Sequence, residues 1–472
     1  MGICRKPAFG LIISAATALL LSCGGNNSTG PGNGPSGPSG SAPWALEEYK
    51  CTDDGAISDG LNRAEDGLGL PNAIVIKYNG GSSATVNFPS ALDGMISYNV
   101  DGGHVTIGTP ETRNPTSFNI VASGTTENGS LSVYGTVVFE GLYLNGASIT
   151  NQRGPAVNIQ IPNRTGRNLS VHLVGGCGRE NYLSDGPFYE SSDPKEQLKG
   201  TFFSETRVTF TGSGHLEARA KGIRSNGNHA HAIVVDSDMW IESGSITIRE
   251  SVNDGIHTND NITITGGTIQ IISTGDAIQS EKMGKTIHIS GGNVRLRTTG
   301  IKSHGIASED TTVIDGTADV KIHTSGNGAK GIRTRGFMAM RGGTLDITVT
   351  GTRHIDNSVI PPDSSNASGI KVGNDIDNHP GNGDMEITGG TLTVNARSAL
   401  NGRGLNIDGH LNVTGGNTNL TADNDAVRTR GNFRMTGGTL RARSTAGQDI
   451  DCRGTYTQSG GSLDAPNRRE GI

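Results

Sequence analysis

Asp254 and Asp276 each stand directly before a small-aliphatic pair, Gly255-Ile256 and Ala277-Ile278. If equivalent positions of successive repeats lie over one another, the two carboxylates come within ~5 Å. They would then repel by roughly 3 kcal/mol at an effective dielectric of ~20. Either a cation between them relieves this, or hydrogen bonds from corner backbone N–H groups do, as in Asx-turns. Hard oxygen donors without cysteine favour Ca2+ over zinc. The sequence has no EF-hand loop and no Gly-Gly-x-Gly-x-Asp nonapeptide, so calcium rests on stacking alone. Asp236, Asp238, Asp260, Glu281 and Asp310 fall a little further along their repeats, around the next corner.

Two aligned positions carry most of the polar chemistry. The first reads His231, Asp254, Asp276, His304, Lys330, Ser368, Arg403, Asp425, Gln448. The second, just past the aliphatic, reads Val234, His257, Gln279, Ala307, Arg333, Lys371, Asn406, Arg428, Asp451. Stacked in register, these become lines of side chains that could border a groove. Arg333, Lys371 and Arg428 suit the carboxylates of an acidic sugar polymer, because guanidinium and carboxylate pair bidentately. They are equally acceptable as ordinary surface charges. His257 stands on the same line as a candidate ligand contact. His231, His257 and His304 share no ligand spacing, so they read as surface histidines on a solvated face rather than as a metal or acid/base cluster.

These columns require a repeat to hold them. A small residue, a glycine and usually an aliphatic two residues on recur at Gly244, Gly267, Gly292, Gly316, Gly343, Gly390, Gly416, Gly438 and Gly461. Gly316 and Gly416 keep the spacing but have Ala318 and Thr418 in the aliphatic place. The period is about 23 residues, interrupted where Asn357 to Asn366 reads as an insertion or a distorted coil, and such a period marks a solenoid. Apolar residues alternate within each repeat, as in Ile262-Thr263-Ile264 and Ile269-Gln270-Ile271, so short strands turn one side inward. Strands this short bury nothing alone. Stacked ~4.8 Å apart as coils, they form parallel sheets around a thin aliphatic interior. The expected fold is all-β: a right-handed single-stranded parallel β-helix over residues 44–472, with divergent coils to about 230 and regular coils over 231–464.

Composition agrees with a thin-cored solenoid. The chain has 472 residues, 72 of them glycine, with aromatics at only 4%, against a usual glycine share of ~7%. Lys and Arg total 39 against 45 Asp and Glu, a formal charge of -6. That gives no basic footprint for nucleic acid. Nothing demands self-association, and a monomer is expected.

The N-terminus reads as an export signal over residues 1–22, with Arg5 and Lys6 before an apolar run. Leu20-Leu21-Ser22-Cys23 resembles a bacterial lipobox, which implies a diacylated Cys23 as first mature residue and a durable membrane anchor. Residues 23–43 then form a Gly/Ser/Pro/Asn tether. This predicts a lipid-anchored protein of the cell envelope, in the outer membrane or at the cell surface. Cys51, Cys177 and Cys452 remain, enough for one disulfide without fixing which pair. Trp44 to Tyr49 reads as part of an N-terminal cap, and Ser184 to Gly200 as a polar excursion beside a binding face.

Asp254-Gly-Ile, Asp260-Asn-Ile-Thr-Ile-Thr-Gly-Gly-Thr-Ile, the stretch from Lys199-Gly-Thr-Phe-Phe to Gly214-His-Leu, and Gly154-Pro-Ala-Val-Asn together carry a resemblance. Over roughly residues 130–464 the chain resembles the bacterial carbohydrate-binding β-helix family, often carried by exported lipoproteins. The resemblance implies a pectate-lyase-like solenoid, binding of acidic plant polysaccharide such as polygalacturonate, and calcium. The family's coil-end aspartates fall on Asp254 and Asp276, and its following-corner acid on Asp260. His304 and Lys330 stand where relatives commonly have further aspartates. The leading expectation is non-catalytic, calcium-dependent carbohydrate binding. A lyase would add a Lys or Arg base for β-elimination, with Lys302, Lys330 and Arg333 as candidates. An adhesin-like surface protein is the third reading.

Overall fold

The computed structural model describes residues 46–51, 69–109, 118–136, 139–162, 168–190, 198–224, 226–374, 383–397 and 401–471. The signal, Cys23, the tether and the middle of the polar excursion lie outside the described residues.

The regular coils contain three short strands each, exemplified by Ile256–Thr258, Ile262–Ile264 and Thr268–Ser273. Each strand pairs in parallel with its counterparts in the turns before and after. The result is a parallel β-helix. One inward line runs Ile233, Ile256, Ile278, Ile306, Ile332, Ile370, Leu405, Val427, Ile450. Every one of these side chains is fully buried. Full burial of such a residue contributes about 1.5–3 kcal/mol, so the aliphatic lines are the main cohesive element. Aromatics concentrate in the divergent turns, where Phe118 stacks on Phe139 and Phe202 packs on Phe210.

The glycine of each repeat sits where the chain turns from the second strand to the third. All nine glycines read as the marker have positive φ, from +55° at Gly316 to +84° at Gly244. After Gly316 the turn is longer, and Val320 rather than Ala318 takes the inward position opposite Val294 and Leu345. Thr418 does occupy the aliphatic line and is buried there.

The expectation for the N-terminal end changes. Residues 46–51 lie along the side of the stack and do not cap it: Glu47 exchanges hydrogen bonds with Gln270, and Tyr49 stacks on His215. Cys51 is disulfide-bonded to Cys177, leaving Cys452 buried and free. The final turn is followed by Arg468–Arg469, which pairs on Ile450–Cys452. The interruption in the period is an antiparallel hairpin, His354–Asp356 with Asp363–Ser365. The ladder continues beneath it without slipping, with Lys330 opposite Ser368 and Arg333 opposite Lys371.

Candidate functional site: a coil-end ladder and a cationic groove

Strand alternation points Ile256 inward and His257 outward, and the parallel register repeats this at every turn. The outward line therefore runs Val234, His257, Gln279, Ala307, Arg333, Lys371, Asn406, Arg428, Asp451. That is the second column read from the sequence.

The first column forms a ladder at the coil ends. The Asp276 backbone N–H donates to Asp254 Oδ1 at 2.8 Å, and the His304 N–H donates to Asp276 Oδ1 at 2.5 Å. The Lys330 N–H in turn donates to His304 Nδ1 at 3.1 Å. Each side chain satisfies a donor on the next turn, which a buried corner requires. These are the corner hydrogen bonds weighed against calcium. Asp425 does the same for the Gln448 N–H.

The histidines are not on a solvated face. His231 and His304 are buried, and the His257 side chain is only 12% exposed. His231 Nδ1 and His257 Nδ1 lie 3.1 and 3.0 Å from the same oxygen, Asp254 Oδ2. His231 and Asp254 are successive members of the first column and His257 follows Asp254 in the second; the Asp254 carboxylate meets both rings, which column-by-column alignment does not show. Burial opposes charge on Asp254, yet the two imidazoles hold its carboxyl below the usual range. Burial likewise opposes charge on His257, but its bonds to Asp254 and Glu281 push it up to about 9. Asp276 is pushed up to about 8 by burial and by the Asp254 charge. Burial, with Lys330 and Arg333 nearby, keeps His304 well below the ordinary imidazole range.

The donors at Asp254 do not fit calcium. Ca2+ takes six to eight oxygens, whereas one Asp254 oxygen accepts a backbone N–H and the other faces two ring nitrogens. Asp260 is held around the corner by Lys282 and Lys285, at 3.4 and 3.2 Å.

Further along, Lys302, Lys330, Arg333, Arg335, Lys371 and Arg403 line one groove of about 370 Å³. The hairpin supplies its wall through Asp363, Ser364 and Ser365. Lys330 Nζ donates to Gly328 O at 2.8 Å and to Ser365 Oγ, and Lys302 pairs with Asp363. Glu309 bridges Arg333 and Arg335, at 3.2 and 2.5 Å. Lys371 is paired with Asp408, and Arg403 lies 3.6 Å from Asp425. These acids hold the cationic side chains in place, and Asp363 is the one acid on the lining itself among the described residues. Arg428 lies beyond the groove on the outward line, 3.8 Å from Asp451. The structure thus brings together Lys302, Lys330, Arg333 and Lys371, and separates them from His257.

Arg335, Arg403 and the hairpin wall were not singled out as site features from sequence. Arg403 stands in the first column, but only the hairpin reveals that this part of the column borders an enclosed space.

A parallel β-helix with a cation-lined groove is the class that fold and site define. The family model described as "Carbohydrate-binding domain-containing protein" matches residues 101–351 and 381–466, and the chain belongs to that family. A relative of the same description from Acetivibrio thermocellus is 28% identical over 178 residues, which is 37% of this chain. The match spans 57% of that relative's length. The solved structure described as the polysaccharide lyase-like protein from C. thermocellum, gadolinium derivative, is 18% identical with a TM-score of 0.28. Its alignment covers 83% of this chain and 99% of that chain.

Proposed function

We propose that this protein is a non-catalytic binder of acidic polysaccharide, a polyuronate such as polygalacturonate, and that the groove beside the hairpin is its binding site. The observation that carries this reading is six cationic side chains converging on one lining with a single acid among them. Parallel stacking supports a polymer ligand, since it repeats cationic positions along the axis, as Arg333 and Lys371 do. Calcium belongs to this reading as an ion arriving with the polymer and bridging its uronates to one another. Cys23 acylation would hold the protein in the cell envelope as a monomer facing outward.

The test is titration with polygalacturonate and with an uncharged glucan, with calcium and with chelator. Binding of the acidic polymer, weakened by salt and by Arg333→Ala or Arg403→Ala, is expected. Equal binding of both polymers would overturn the groove assignment, and binding of neither would overturn the sugar reading in favour of an adhesin-like role. A chelator-insensitive isotherm would remove calcium. Membrane fractionation of cells expressing the Cys23→Ser variant tests the anchor.

A lyase reading has one observation in its favour: the candidate bases Lys302, Lys330 and Arg333 all line this groove. Unsaturated-uronide absorbance that grows with wild-type protein and is abolished by Lys330→Ala, with binding retained, would establish it.

A further inference from the structure

We propose that His231, Asp254 and His257 form a binding site for a divalent transition metal of the Zn2+ class. The three donors, two ring nitrogens and one carboxylate oxygen, all lie within 4.8 Å of one another. His231 Nδ1 is buried and makes no well-aligned hydrogen bond; its contact with Asp254 Oδ2, 3.1 Å away, is electrostatic. A buried ring nitrogen beside a carboxylate without a well-aligned bond to it is an orphan that a metal would satisfy. Zinc bonds of about 2.0–2.2 Å in tetrahedral geometry put neighbouring donors about 3.3 Å apart. The Asp254 Oδ2 distances of 3.0 and 3.1 Å therefore need to open by a few tenths of an ångström, while the two imidazole nitrogens, within 4.8 Å of each other, draw together on loading.

The surroundings fit as well. His257 Nε2 lies 3.4 Å from Glu281 Oε2, the carboxylate partner that orients a metal-bound imidazole. Gln279 Oε1, 3.1 Å from His257 Nδ1, adds a further oxygen from the next turn beside the cluster. Asn253 Nδ2 faces His231 Nε2 at 3.3 Å and donates to His229 O at 3.1 Å, so loading requires that amide to turn, giving up the bond to His229, and offer its oxygen. Mixed nitrogen and carboxylate donors select zinc-class metals over calcium. Binding displaces a proton from the imidazoles to solvent, and the site stands apart from the groove, so it does not depend on the sugar reading.

Tag-free protein is stripped with chelator and titrated calorimetrically with Zn2+ and with Ca2+, and Co2+ is added as a spectroscopic probe. Expected are one Zn2+ per chain, undiminished by excess Ca2+, and Co2+ ligand-field bands of four-coordinate intensity. His231→Asn is expected to weaken Zn2+ by more than the ~10–100-fold that an outer partner costs. His257→Asn serves as a second variant, and thermal unfolding of each without metal shows that it is folded. Absence of stoichiometric Zn2+ binding, or binding unchanged in folded His231→Asn, would overturn the proposal.

Discussion

Lys371 Nζ lies 2.7 Å from Asp408 Oδ2, and each of these side chains is only 3% exposed. Arg430 Nε approaches the other Asp408 oxygen at 3.5 Å. Removing one member of a buried pair leaves the other charge uncompensated, at a cost of about 3–5 kcal/mol. Asp408→Asn is therefore expected to lower the denaturant midpoint strongly. Lys371→Met should cost less, because Arg430 remains beside Asp408. Comparable losses for the two variants in chemical unfolding would contradict this ranking.

His304 gives a pH dependence with a definite sign. Its folded pKa is held well below the ordinary ~6.5. The unfolded chain therefore takes up the proton first as pH falls. The stabilisation is fully present above about 6.5 and diminishes on acidification toward the folded value, by up to about 1.4 kcal/mol per unit of pH. Protonation at Nδ1 also breaks the bond from the Lys330 N–H. Melting temperatures at pH 7.5 and 5.5 should differ less in His304→Asn, which can keep an acceptor but does not titrate. An unchanged difference would exclude His304 as its source.

Gly438 and Gly284 share a φ of +76°, but their surroundings differ. A Cβ at Gly438 would stand 2.5 Å from Gly415 O, whereas at Gly284 it meets nothing within 4 Å. Gly284→Ala should cost only the left-handed penalty of about 1–2 kcal/mol. Gly438→Ala adds a collision with the backbone of the preceding turn and should cost distinctly more. Parallel denaturant curves of the two variants measure what close coil stacking contributes.

The Cys51–Cys177 link joins residues 126 apart. Disulfides of this kind contribute about 2–5 kcal/mol, and this one ties residues 46–51 to the stack. Lys50 is already exposed, so reduction is expected to speed trypsin cleavage after it, by freeing the segment, before the coils open. Simultaneous loss of the segment and the β-sheet signal in circular dichroism would show that the link supports the whole solenoid.

Much of this was legible because period-two alternation and positive-φ glycines are local properties. His257, Arg333 and Lys371 could be placed on one outward line without knowing any contact. The histidine cluster was not legible: His231 and Asp254 are neighbours in the first column, but His257 belongs to the second, and only the direction of the Asp254 carboxylate brings the three together. Asp408 was hidden for a similar reason: nothing in Ile407-Asp408-Gly409 announces that it lies beneath Lys371. The groove depends on a hairpin visible in sequence only as an interruption, and its length alone does not say which side it folds over.

That hairpin leaves the stack and rejoins it without disturbing the pairing of Arg333 with Lys371 below. Corners of this scaffold therefore behave as ports: chain can be spliced in there, reshaping what the surface grips, while the ladder underneath has no need to be re-threaded. The length and shape of a corner can thereby vary while the ladder keeps its register, with Lys330, Arg333, Lys371 and Arg403 still presented from the strands themselves.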